Sequence, residues 1–549
     1  MTLYLDAQVI PEPSDALPRA EALLVRGERI TAVGTAGDLR QMLTPGEEVI
    51  DLEGAVLLPG LTDSHLHTAL YARSLFAADL RGAASLEEAL QRVGLHVHQQ
   101  VEAAKAGGTW PQQPHWIFGT AWDHNLWEIP LVPDRSALDS VTGSFPTALH
   151  SGDAHTWWVN SAALQALGVT AQSLDPPGGH IERYDAGSQA GEPTGILREA
   201  AGRPVEQLLA SGAAGELTTQ LAAAQRHLWA AGLTGVHDFD GEDCRAAFAQ
   251  LHTQGQLGLR VVKSIPQTHL HQAIAEGRFT GAGDAWLRTG PVKIFADGAL
   301  GSHTCLTNEP LHGSEEEELP TGHGMEVTSP EGLAELTITA ARAGISVATH
   351  AIGDLANTRV LDAYASLTAG SEAGRIPALR HRIEHAQHLA PEDVHRFAEL
   401  GVTASMQPVH ATADYELAER LLSGQKLRSY AWNTLLKAGA ALTFGSDAPV
   451  ETPSPLAGIH AAVTRQRADG LPSCGWQPEE RLSVSQALTG YTIGPARAAG
   501  VGHLSGALRP GMFADVTALG ADPFAAAPEE LAQIPVRGVI TGGVVRHWS

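Results

Sequence analysis

The sequence predicts an α/β fold, namely a (β/α)8 TIM barrel with a small β-sandwich domain formed by both termini and a large insertion after the first barrel strand. Three observations predict this architecture. An Ala/Leu-rich helical stretch, a glycine and a short apolar strand follow one another repeatedly along the chain. Polar residues come directly after several of these strands, and both ends of the chain contain strand-like segments.

The composition indicates a folded chain and argues against several classes of partner. Of its 549 residues, 43% are hydrophobic and 18% are charged, which supports a sizeable core. A formal net charge of −25 argues against nucleic acid or an anionic membrane as a partner, and a small molecule is the expected substrate. The sequence leaves the oligomeric state open, and a homodimer is the commonest assembly of soluble oligomers.

The cysteines and the apolar segments predict a cytoplasmic protein. Cys244, Cys305 and Cys474 lie far apart, so they form neither a disulfide framework nor a CxxC metal site, and a reducing compartment fits them. The first 13 residues lack the basic start of a signal peptide, and the sequence contains no run of 18 apolar residues. We therefore expect neither secretion nor a membrane span.

The two ends of the chain are expected to form one small β-domain. Residues 23–34 have the pattern of a hairpin, and residues 49–58 continue as a strand. Residues 536–547 are the counterpart at the other end. We assign residues 1–57 and 504–549 to the two parts of the β-sandwich.

Residues 58–503 are expected to form the barrel, with parallel strands that are covered by helices. A doubly wound sheet is the alternative, but it needs a Gly-rich phosphate turn after its first strand, and the sequence has none there. In four units the glycine that ends the helix is Gly232, Gly344, Gly401 or Gly439. The eight strands are placed within 57–65, 230–239, 259–265, 292–296, 341–351, 381–385, 398–407 and 436–449.

A large insertion is expected between the first two barrel strands. More than 150 residues, rich in Trp, Gly and Pro, separate the first strand from Gly232, which is far beyond a normal βα connection. We assign residues from about 75 to 225 to an inserted subdomain that contributes to the pocket.

His65 and His67 are the strongest candidate metal ligands. They end an apolar run, and residues i and i+2 of an extended segment point to the same side, so both imidazoles can reach one ion. A chance pairing is the alternative for any single HxH. The two other HxH pairs, 96/98 and 269/271, lie in polar stretches and are interpreted as solvated faces.

Three further residues end predicted strands and can bind an ion. A lone histidine at such a place is usually a hydrogen-bonded core residue, but His350 and His385 join two other histidines at the same rim of the barrel. Asp447 closes the last strand, where a buried carboxylate needs a partner such as a metal ion. It can also accept a proton from an attacking water, and the alternative role is a helix cap.

Lys293 lies among apolar residues in the fourth strand, so its pKa should be lowered. A neutral amine condensed with carbon dioxide becomes an anionic carbamate, whose two oxygens can bridge two ions. The alternative is an ion pair with Asp297 or Glu384. The sequence does not decide between the two.

Taken together, these residues resemble the metal-dependent amidohydrolase superfamily, in particular the branch that includes N-substituted formamide deformylases. The resemblance covers nearly the whole chain, and its motifs are specific as a set. They are PGLTDSHLH (59–67), the run 230–238, VKIFADGALGS (292–302), HAIGD (350–354), RIEHAQH (382–388), SMQPVH (405–410), GSDAPV (445–450) and GALRPGMFADV (506–516).

The resemblance implies a (β/α)8 barrel with a dinuclear centre, for which zinc is the expected metal. The two divalent ions would be bridged by a carbamate that carbon dioxide forms on the buried lysine. The more buried ion would take His65, His67 and Asp447, and the more exposed ion would take His350, His385 and the shared Lys293.

The resemblance also extends to the pocket. Residues 150–164 are similar to a motif in that branch's insert, so His155 and Asn160 are candidate substrate-binding residues, with a packed histidine and a helix N-cap as alternatives. His303 stands where the branch usually has arginine, so it is a candidate substrate contact that differs from the branch. Weaker candidates are Gln407, Trp122 and His410.

We expect a metal-dependent hydrolase that cleaves a C–N bond, in an amide or an N-acyl or N-formyl group of a small molecule, with a metal-activated hydroxide. Asp447 is the expected catalytic residue, because it can take up a proton and return it to the leaving nitrogen. The alternatives are a mononuclear deaminase or esterase on the same barrel and a non-catalytic protein of the same shape. A glycosidase would need paired carboxylates at strand ends, for which Asp447 has no clear partner. The identity of the substrate is beyond the sequence, because loops and the insertion set the pocket.

Overall fold

The strands within the described residues form four hydrogen-bonded sheets. The structure, a computed structural model, describes residues 1–14, 16–106, 116–210, 214–312, 322–369 and 379–549. In chain order the strands are β1 (Thr2–Val9), β2 (Ala22–Arg26), β3 (Arg29–Gly34), β4 (Glu48–Pro59), β5 (Leu61–Leu66), β6 (Ala78–Asp79), β7 (Ile117–Trp122), β8 (Thr147–Ser151), β9 (Thr156–Val159), β10 (Gly179–Arg183), β11 (Pro193–Glu199), β12 (Leu233–Asp238), β13 (Arg260–Pro266), β14 (Leu287–Phe295), β15 (Val347–Ala351), β16 (Arg382–His385), β17 (His388–Leu389), β18 (Thr403–Met406), β19 (Arg428–Ser429), β20 (Ala441–Phe444), β21 (Val516–Leu519), β22 (Val536–Thr541) and β23 (Val544–Trp548).

The α-helices begin at good capping residues in several places. Ser329 and Ser454 each accept a backbone N–H and each precede a proline that starts the helix. The helices of the described residues are α1 (Ala36–Gln41), α2 (Thr68–Ser74), α3 (Leu86–Ala106), α4 (Arg135–Thr142), α5 (Ser161–Leu167), α6 (Arg203–Ala210), α7 (Ala214–Ala230), α8 (Glu242–Thr253), α9 (Leu270–Ala275), α10 (Pro330–Arg342), α11 (Asp354–Ala369), α12 (Val394–Leu400), α13 (Pro408–Ala413), α14 (Tyr415–Leu421), α15 (Trp432–Lys437), α16 (Pro455–Thr464), α17 (Val484–Tyr491) and α18 (Ile493–Ala498). None of these helices combines the length and the hydropathy that crossing a bilayer requires.

Eight parallel strands form the central barrel, in the order β20-β18-β16-β15-β14-β13-β12-β5. Each overlaps one of the eight predicted strands, so the predicted (β/α)8 fold is confirmed, although the predicted first strand begins in the terminal strand β4. Between the two outermost strands, the N–H of Asp447 donates to the carbonyl of His65 (2.7 Å) and the hydroxyl of Ser64 donates to the carbonyl of Phe444 (2.7 Å). These contacts bring the last strand back to the first.

The predicted glycines make the turns from helix to strand. Gly232, Gly344, Gly401 and Gly439 have φ values of 96°, 74°, 65° and 88°, in the left-handed region that a residue with a Cβ rarely adopts. Each lets the chain leave α7, α10, α12 or α15 and enter the next barrel strand. The helices then cover the strands around a core of close-packed Ile, Leu, Val and Ala side chains.

Both termini contribute to one seven-stranded sheet, in the order β23-β22-β21-β4-β1-β2-β3. The hairpins predicted at 23–34 and 536–547 are present as β2–β3 and β22–β23. Two apolar clusters lie against this sheet. The N–H of Gly60 donates to the carbonyl of Asp515 (2.9 Å), so the terminal β-domain joins the barrel where the first barrel strand begins.

The region between β5 and β12 contains a separate six-stranded sheet, in the order β10-β11-β9-β8-β7-β6. Two parts of the expected insertion, residues 107–115 and 211–213, lie outside the described residues. The sheet buries tryptophan side chains in its own core. Nη1 of Arg198 donates to the carbonyl of Ser302 (3.1 Å), so the insertion contacts the loop that follows β14.

Candidate metal centre

The six residues predicted as metal ligands lie at the carboxyl-terminal rim of the barrel. They are His65 in β5, His67 directly after it, Lys293 in β14, His350 in β15, His385 in β16 and Asp447 after β20. Five of them are buried, and the side chain of His67 is 20% exposed. In a barrel of this kind, functional side chains from several strands meet at this rim.

His65, His67 and Asp447 converge on one point. Nε2 of His65 and Nε2 of His67 each lie 3.4 Å from Oδ1 of Asp447. That oxygen is buried and makes no hydrogen bond with any described residue. Two imidazole nitrogens and a carboxylate oxygen are a donor set that suits zinc and its divalent neighbours, so these residues fit a metal ion.

Outer carboxylates orient both imidazoles. Nδ1 of His65 lies 2.6 Å from Oε2 of Glu384, and Nδ1 of His67 lies 3.2 Å from Oδ1 of Asp240. Because Nδ1 of each ring is held in this way, Nε2 is the nitrogen that faces Asp447. Asp240 also accepts N–H groups from the first turn of α2, which ties that helix to the site.

The pKa values of these three groups shift in different directions, for different physical reasons. Burial opposes a charge on His67, but Asp240 and Asp447 raise its pKa above the ordinary value. Burial also opposes the charge on Asp447, yet His65 and its neighbours hold the pKa of that carboxyl well below its usual range. The pKa of His65 is well below its ordinary value because the ring is buried beside Lys293. An ionised carboxylate and a neutral imidazole are the protonation states that bind a divalent ion.

The backbone around Asp447 is strained and closely packed. Asp447 has a φ of 60° and His385 a φ of 72°, a left-handed conformation that is uncommon for residues other than glycine and that clusters at functional sites. Gly445 leaves no room for a side chain, because a Cβ there would lie 2.4 Å from the backbone nitrogen of His65. Glycine at position 445 therefore lets the segment after the last barrel strand pack directly against the first barrel strand.

Lys293 is buried beside this triangle. Its Nζ lies 3.4 Å from Nε2 of His65, and it lies 4.8 Å and 5.0 Å from the ring centroids of Phe239 and Phe295. Burial lowers the pKa of Lys293 to about 8. At pH 7 about one tenth of the molecules therefore carry Lys293 as the neutral amine, the form that reacts with carbon dioxide.

The two carboxylates that were the alternative partners of Lys293 are engaged elsewhere. Oε1 of Glu384 lies 2.5 Å from Nε of Arg382. Oδ2 of Asp297 accepts the backbone N–H of Leu306 at 2.8 Å. These contacts weaken the ion-pair alternative for Lys293.

His350 and His385 form a second pair next to the first. Their ring centroids are 4.5 Å apart, and the ring of His385 lies 4.9 Å from that of His65. Nδ1 of His385 lies 2.9 Å from Oε1 of Gln407, and Nε2 of His350 lies 3.1 Å from the carbonyl oxygen of Gly298. Each ring therefore keeps one nitrogen for a further ligand. Burial lowers the pKa of both rings well below the ordinary value, so both are neutral.

The structure gives the surroundings of three predicted pocket residues. Oε1 of Gln407 contacts Nδ1 of His385, its Nε2 is buried without a hydrogen bond to any described residue, and its contact with substrate stays a prediction. Asn160 is fully buried and caps α5, with its Oδ1 accepting the N–H of Ala163 at 2.9 Å. The structure therefore contains the N-cap contact that was the alternative for Asn160, and its contact with substrate stays a prediction. His303 is buried in the loop after β14 with a φ of 58°, and its role in binding substrate stays a prediction.

His155, a residue of the insertion, lies next to the candidate metal centre. Its Nδ1 lies 2.9 Å from Oε2 of Glu199, and its ring centroid lies 5.1 Å from that of His350. Burial opposes a charge on this ring, but Glu199 raises the pKa of His155 to about 9. The hydroxyl of Thr304 donates to Glu199 at 2.7 Å and fixes it against the barrel. The structure thus brings a cationic hydrogen-bond donor of the insertion to the edge of the site.

Sequence reasoning missed the residues that orient the ligands. Glu384 directly precedes His385, and Asp240 lies two residues after Asp238 at the end of the second barrel strand. A carboxylate at a strand end was the signal available in both cases. Which histidine each one contacts depends on how the barrel closes, and the local sequence does not contain that information.

Another cluster, Asp238, Asp240 and Cys244, is also close enough to hold an ion. Its contacts indicate an ion pair with a lysine, because Oδ1 of Asp238 lies 3.0 Å from Nζ of Lys263. Burial opposes the charge on this lysine, but Asp238 raises the pKa of Lys263 above its ordinary value. We interpret this cluster as the buried partner of a lysine cation.

Known proteins are similar to this chain over almost its full length. The profile of the Amidohydrolase family matches residues 48–547. Protein LONG AFTER FAR-RED 3 of Arabidopsis thaliana is 34% identical, over 92% of this chain and 84% of that protein. The putative amidohydrolase YtcJ of Bacillus subtilis is 31% identical, over 96% of each chain. The N-substituted formamide deformylase of Arthrobacter pascens is 29% identical, over 96% of this chain and 95% of that protein.

A solved structure extends the similarity to three dimensions. The crystal structure of an uncharacterized metal-dependent hydrolase from Pyrococcus horikoshii has a TM-score of 0.74 to this chain at 25% identity. The match covers 96% of this chain and 99% of that chain, so it includes the terminal sheet and the insertion as well as the barrel.

Proposed function

Because this chain belongs to the amidohydrolase family, we propose that it is a metal-dependent hydrolase that cleaves the C–N bond of a small amide, N-acyl or N-formyl compound. The observation that carries the proposal is the convergence of Nε2 of His65 and Nε2 of His67 on the unbonded Oδ1 of Asp447. The similarity to an N-substituted formamide deformylase supports the choice of bond.

We assign two divalent ions, with zinc as the proposed metal, to the rim of the barrel. The ligands would be His65, His67 and Asp447 for the first ion, which form a group close enough to hold one. His350 and His385, whose rings lie side by side, would hold the second ion, and a carbamate of Lys293 would be shared. The carbamate forms when the neutral amine adds to carbon dioxide, which creates one N–C bond and releases one proton. Ions bound here would lower the pKa of a water molecule and polarise the scissile carbonyl.

Asp447 is the residue proposed to move the proton. It is ionised, because neighbouring imidazoles hold its pKa low, and its Oδ1 lies 3.4 Å from Nε2 of His65 and from Nε2 of His67. It accepts the proton of the attacking water and returns it to the leaving nitrogen. Water is thereby added across the C–N bond, and a carboxylic acid and an amine are released.

His155 is the residue of the insertion proposed to bind the substrate. Its Nδ1 is taken by Glu199, so Nε2 is the nitrogen that remains for a ligand. A charged N–H donor at this place would bind an acyl or carboxylate oxygen. His303 is retained as a second candidate contact from the loop after β14.

Removal and restoration of metal test the proposal. The full-length protein is treated with a chelator and assayed on N-formyl, N-acyl and amide compounds before and after zinc or manganese is added. We expect activity to disappear with the metal and to return with it. Activity that is unchanged by the chelator would refute the proposal. Deamination or ester cleavage by protein with a single ion per chain would favour the mononuclear alternative.

Two histidine substitutions provide a matched comparison for the metal assay. His67→Asn removes a proposed ligand. His271→Asn changes an exposed histidine in α9, which belongs to the HxH pair 269/271. We expect His67→Asn to lose bound metal and activity, and His271→Asn to keep both. Equal metal content in the two variants would contradict the assignment of His67.

We further propose that the protein acts in the cytoplasm on a small molecule, without nucleic acid or membrane as a partner, and that it forms a homodimer. Three free cysteines support a reducing location, and the net charge of −25 opposes anionic partners. Fractionation of cells and sedimentation of the purified protein test the location and the dimer.

A further inference from the structure

We infer that His410 is a positioning residue, which holds one oxygen of Asp447 so that the other oxygen faces His65 and His67. The inference rests on the proposed function and adds one residue to it. Nε2 of His410 lies 3.4 Å from Oδ2 of Asp447, at the long end of the hydrogen-bond range. Oδ1 of the same carboxylate lies 3.4 Å from Nε2 of each of the other two histidines. The two oxygens of Asp447 therefore have separate neighbours.

The ring of His410 is fixed from several sides. It lies in α13 and is only 8% exposed. Its Nδ1 lies 3.9 Å from Oε1 of Glu451, and its ring is nearly parallel to that of His385, with centroids 6.2 Å apart and an angle of 10°. These contacts leave the Nε2 edge of the ring directed at Asp447.

One short segment supports both halves of the site. Gln407, the residue before α13, holds Nδ1 of His385 through its Oε1. His410 lies three residues later, in the first turn of α13. The segment therefore orients a ligand of each proposed ion, Gln407 through His385 and His410 through Asp447.

Distance alone would also allow His410 to be a ligand. One donor atom from each of His385, His410 and Asp447 lies within 4.8 Å of the others. The direction of the contact favours the positioning role, because His410 faces Oδ2 and the oxygen without a hydrogen bond is Oδ1. A carboxylate ligand is commonly oriented by a hydrogen bond to its other oxygen.

Three substitutions separate positioning from ligation and from packing. His410→Gln keeps an amide N–H near the place of Nε2, His410→Asn keeps one near Nδ1 only, and His410→Ala removes both. Each full-length variant is loaded with zinc or cobalt(II). Metal content, the cobalt absorption spectrum, kcat, KM and the melting temperature are then measured beside those of the wild type.

We expect all three variants to bind as much metal as the wild type. In His410→Ala and His410→Asn, kcat should fall about 10- to 100-fold, as for other losses of an outer support of a metal ligand. KM should stay within about threefold, because ground-state binding is retained. His410→Gln should recover at least about tenfold of the lost kcat. Its cobalt spectrum should match that of the wild type, whereas the spectrum of His410→Ala should differ.

Three results would overturn the inference. Loss of an ion in His410→Ala would show that His410 is a ligand. Equal kcat values in the Gln and Asn variants would show that His410 only packs against its neighbours. An unchanged cobalt spectrum in His410→Ala would show that His410 does not orient Asp447. If wild-type activity does not depend on metal, the proposed function fails as well, whereas a metal-dependent wild type with any of these results fails only the inference. The Gln and Asn comparison decides the matter even if the Ala variant does not fold.

Discussion

Lys293 and Lys263 are two buried barrel lysines with opposite surroundings, and we predict that only Lys293 reacts with carbon dioxide. Nζ of Lys263 lies 3.0 Å from Oδ1 of Asp238 and donates to the carbonyl of Ser264 at 3.0 Å, and its pKa is raised. Nζ of Lys293 lies 3.4 Å from an imidazole nitrogen of His65, and burial lowers its pKa to about 8. The reactive species is the neutral amine, so the two lysines should differ sharply.

The size of the effect follows from the pKa of Lys293. With a pKa of about 8, about 10% of its side chains are neutral at pH 7, against about 0.03% for a lysine with a pKa near 10.5. The advantage over an ordinary lysine is therefore about 300-fold. Between pH 8 and pH 6 the neutral fraction falls from about one half to about 1%, so uptake of carbon dioxide should slow about 50-fold at constant dissolved carbon dioxide.

Carbon-13 NMR of the metal-free protein, incubated with labelled carbon dioxide and then loaded with zinc, measures the modification. We expect one carbamate signal in the wild type and in Lys263→Arg, which keeps the cation beside Asp238, and none in Lys293→Met. A carbamate that persists in Lys293→Met would refute the reasoning. So would a wild type without the signal at pH 8, or an uptake rate that does not change between pH 6 and pH 8.

Three further predictions concern residues around the site. Gly445→Ala should lower the metal content and the melting temperature, because a Cβ there would lie 2.4 Å from the backbone nitrogen of His65, and the cost in unfolding free energy should be about 1–3 kcal/mol. Normal metal content and an unchanged melting temperature would contradict it. Glu384→Gln should raise the dissociation constant for zinc about 10- to 100-fold, because Oε2 of Glu384 lies 2.6 Å from Nδ1 of His65. Competition with a coloured chelator measures this constant, and an unchanged value would show that the contact does not orient the ligand. Asn160→Ala should cost about 1–3 kcal/mol in denaturant unfolding and leave kcat/KM unchanged, because Asn160 caps α5, whereas Asn160→Asp should keep most of the stability. A lower kcat/KM at normal stability would show that Asn160 contributes to substrate binding.

Local chemistry explains why the barrel could be predicted from the sequence. Four of the barrel units repeat a helix, a glycine at its exit and an apolar strand, and these glycines, Gly232, Gly344, Gly401 and Gly439, all have positive φ. Parallel strands buried on both faces are continuous apolar runs, which are easy to recognise. The eight strands were therefore found, whereas the order of strands in the six-stranded sheet of the insertion was not.

The candidate ligands could be predicted for a related reason. His65 and His67 are two residues apart on one extended segment, so their common direction is a local property. The contact between His65 and Glu384 joins residues 319 positions apart. Such a contact depends on strand register and on closure of the barrel, which no local pattern specifies.

The same limit applies to the outer support of the site. Gln407 follows a strand and was a weaker candidate substrate contact, and the turn into α13 also brings its Oε1 to Nδ1 of His385. His410 was another weaker candidate, and the local sequence does not place it beside Asp447. Its contact with Asp447 exists only once the seventh and eighth strands are neighbours.

The metal content of fully active, full-length protein tests the central claim most directly. Elemental analysis should find about two divalent ions per chain, with activity on an N-acyl or N-formyl amide falling in step with metal content as a chelator removes them. Full activity in protein that contains no zinc or other divalent transition metal would contradict the assignment of these six residues to a metal centre.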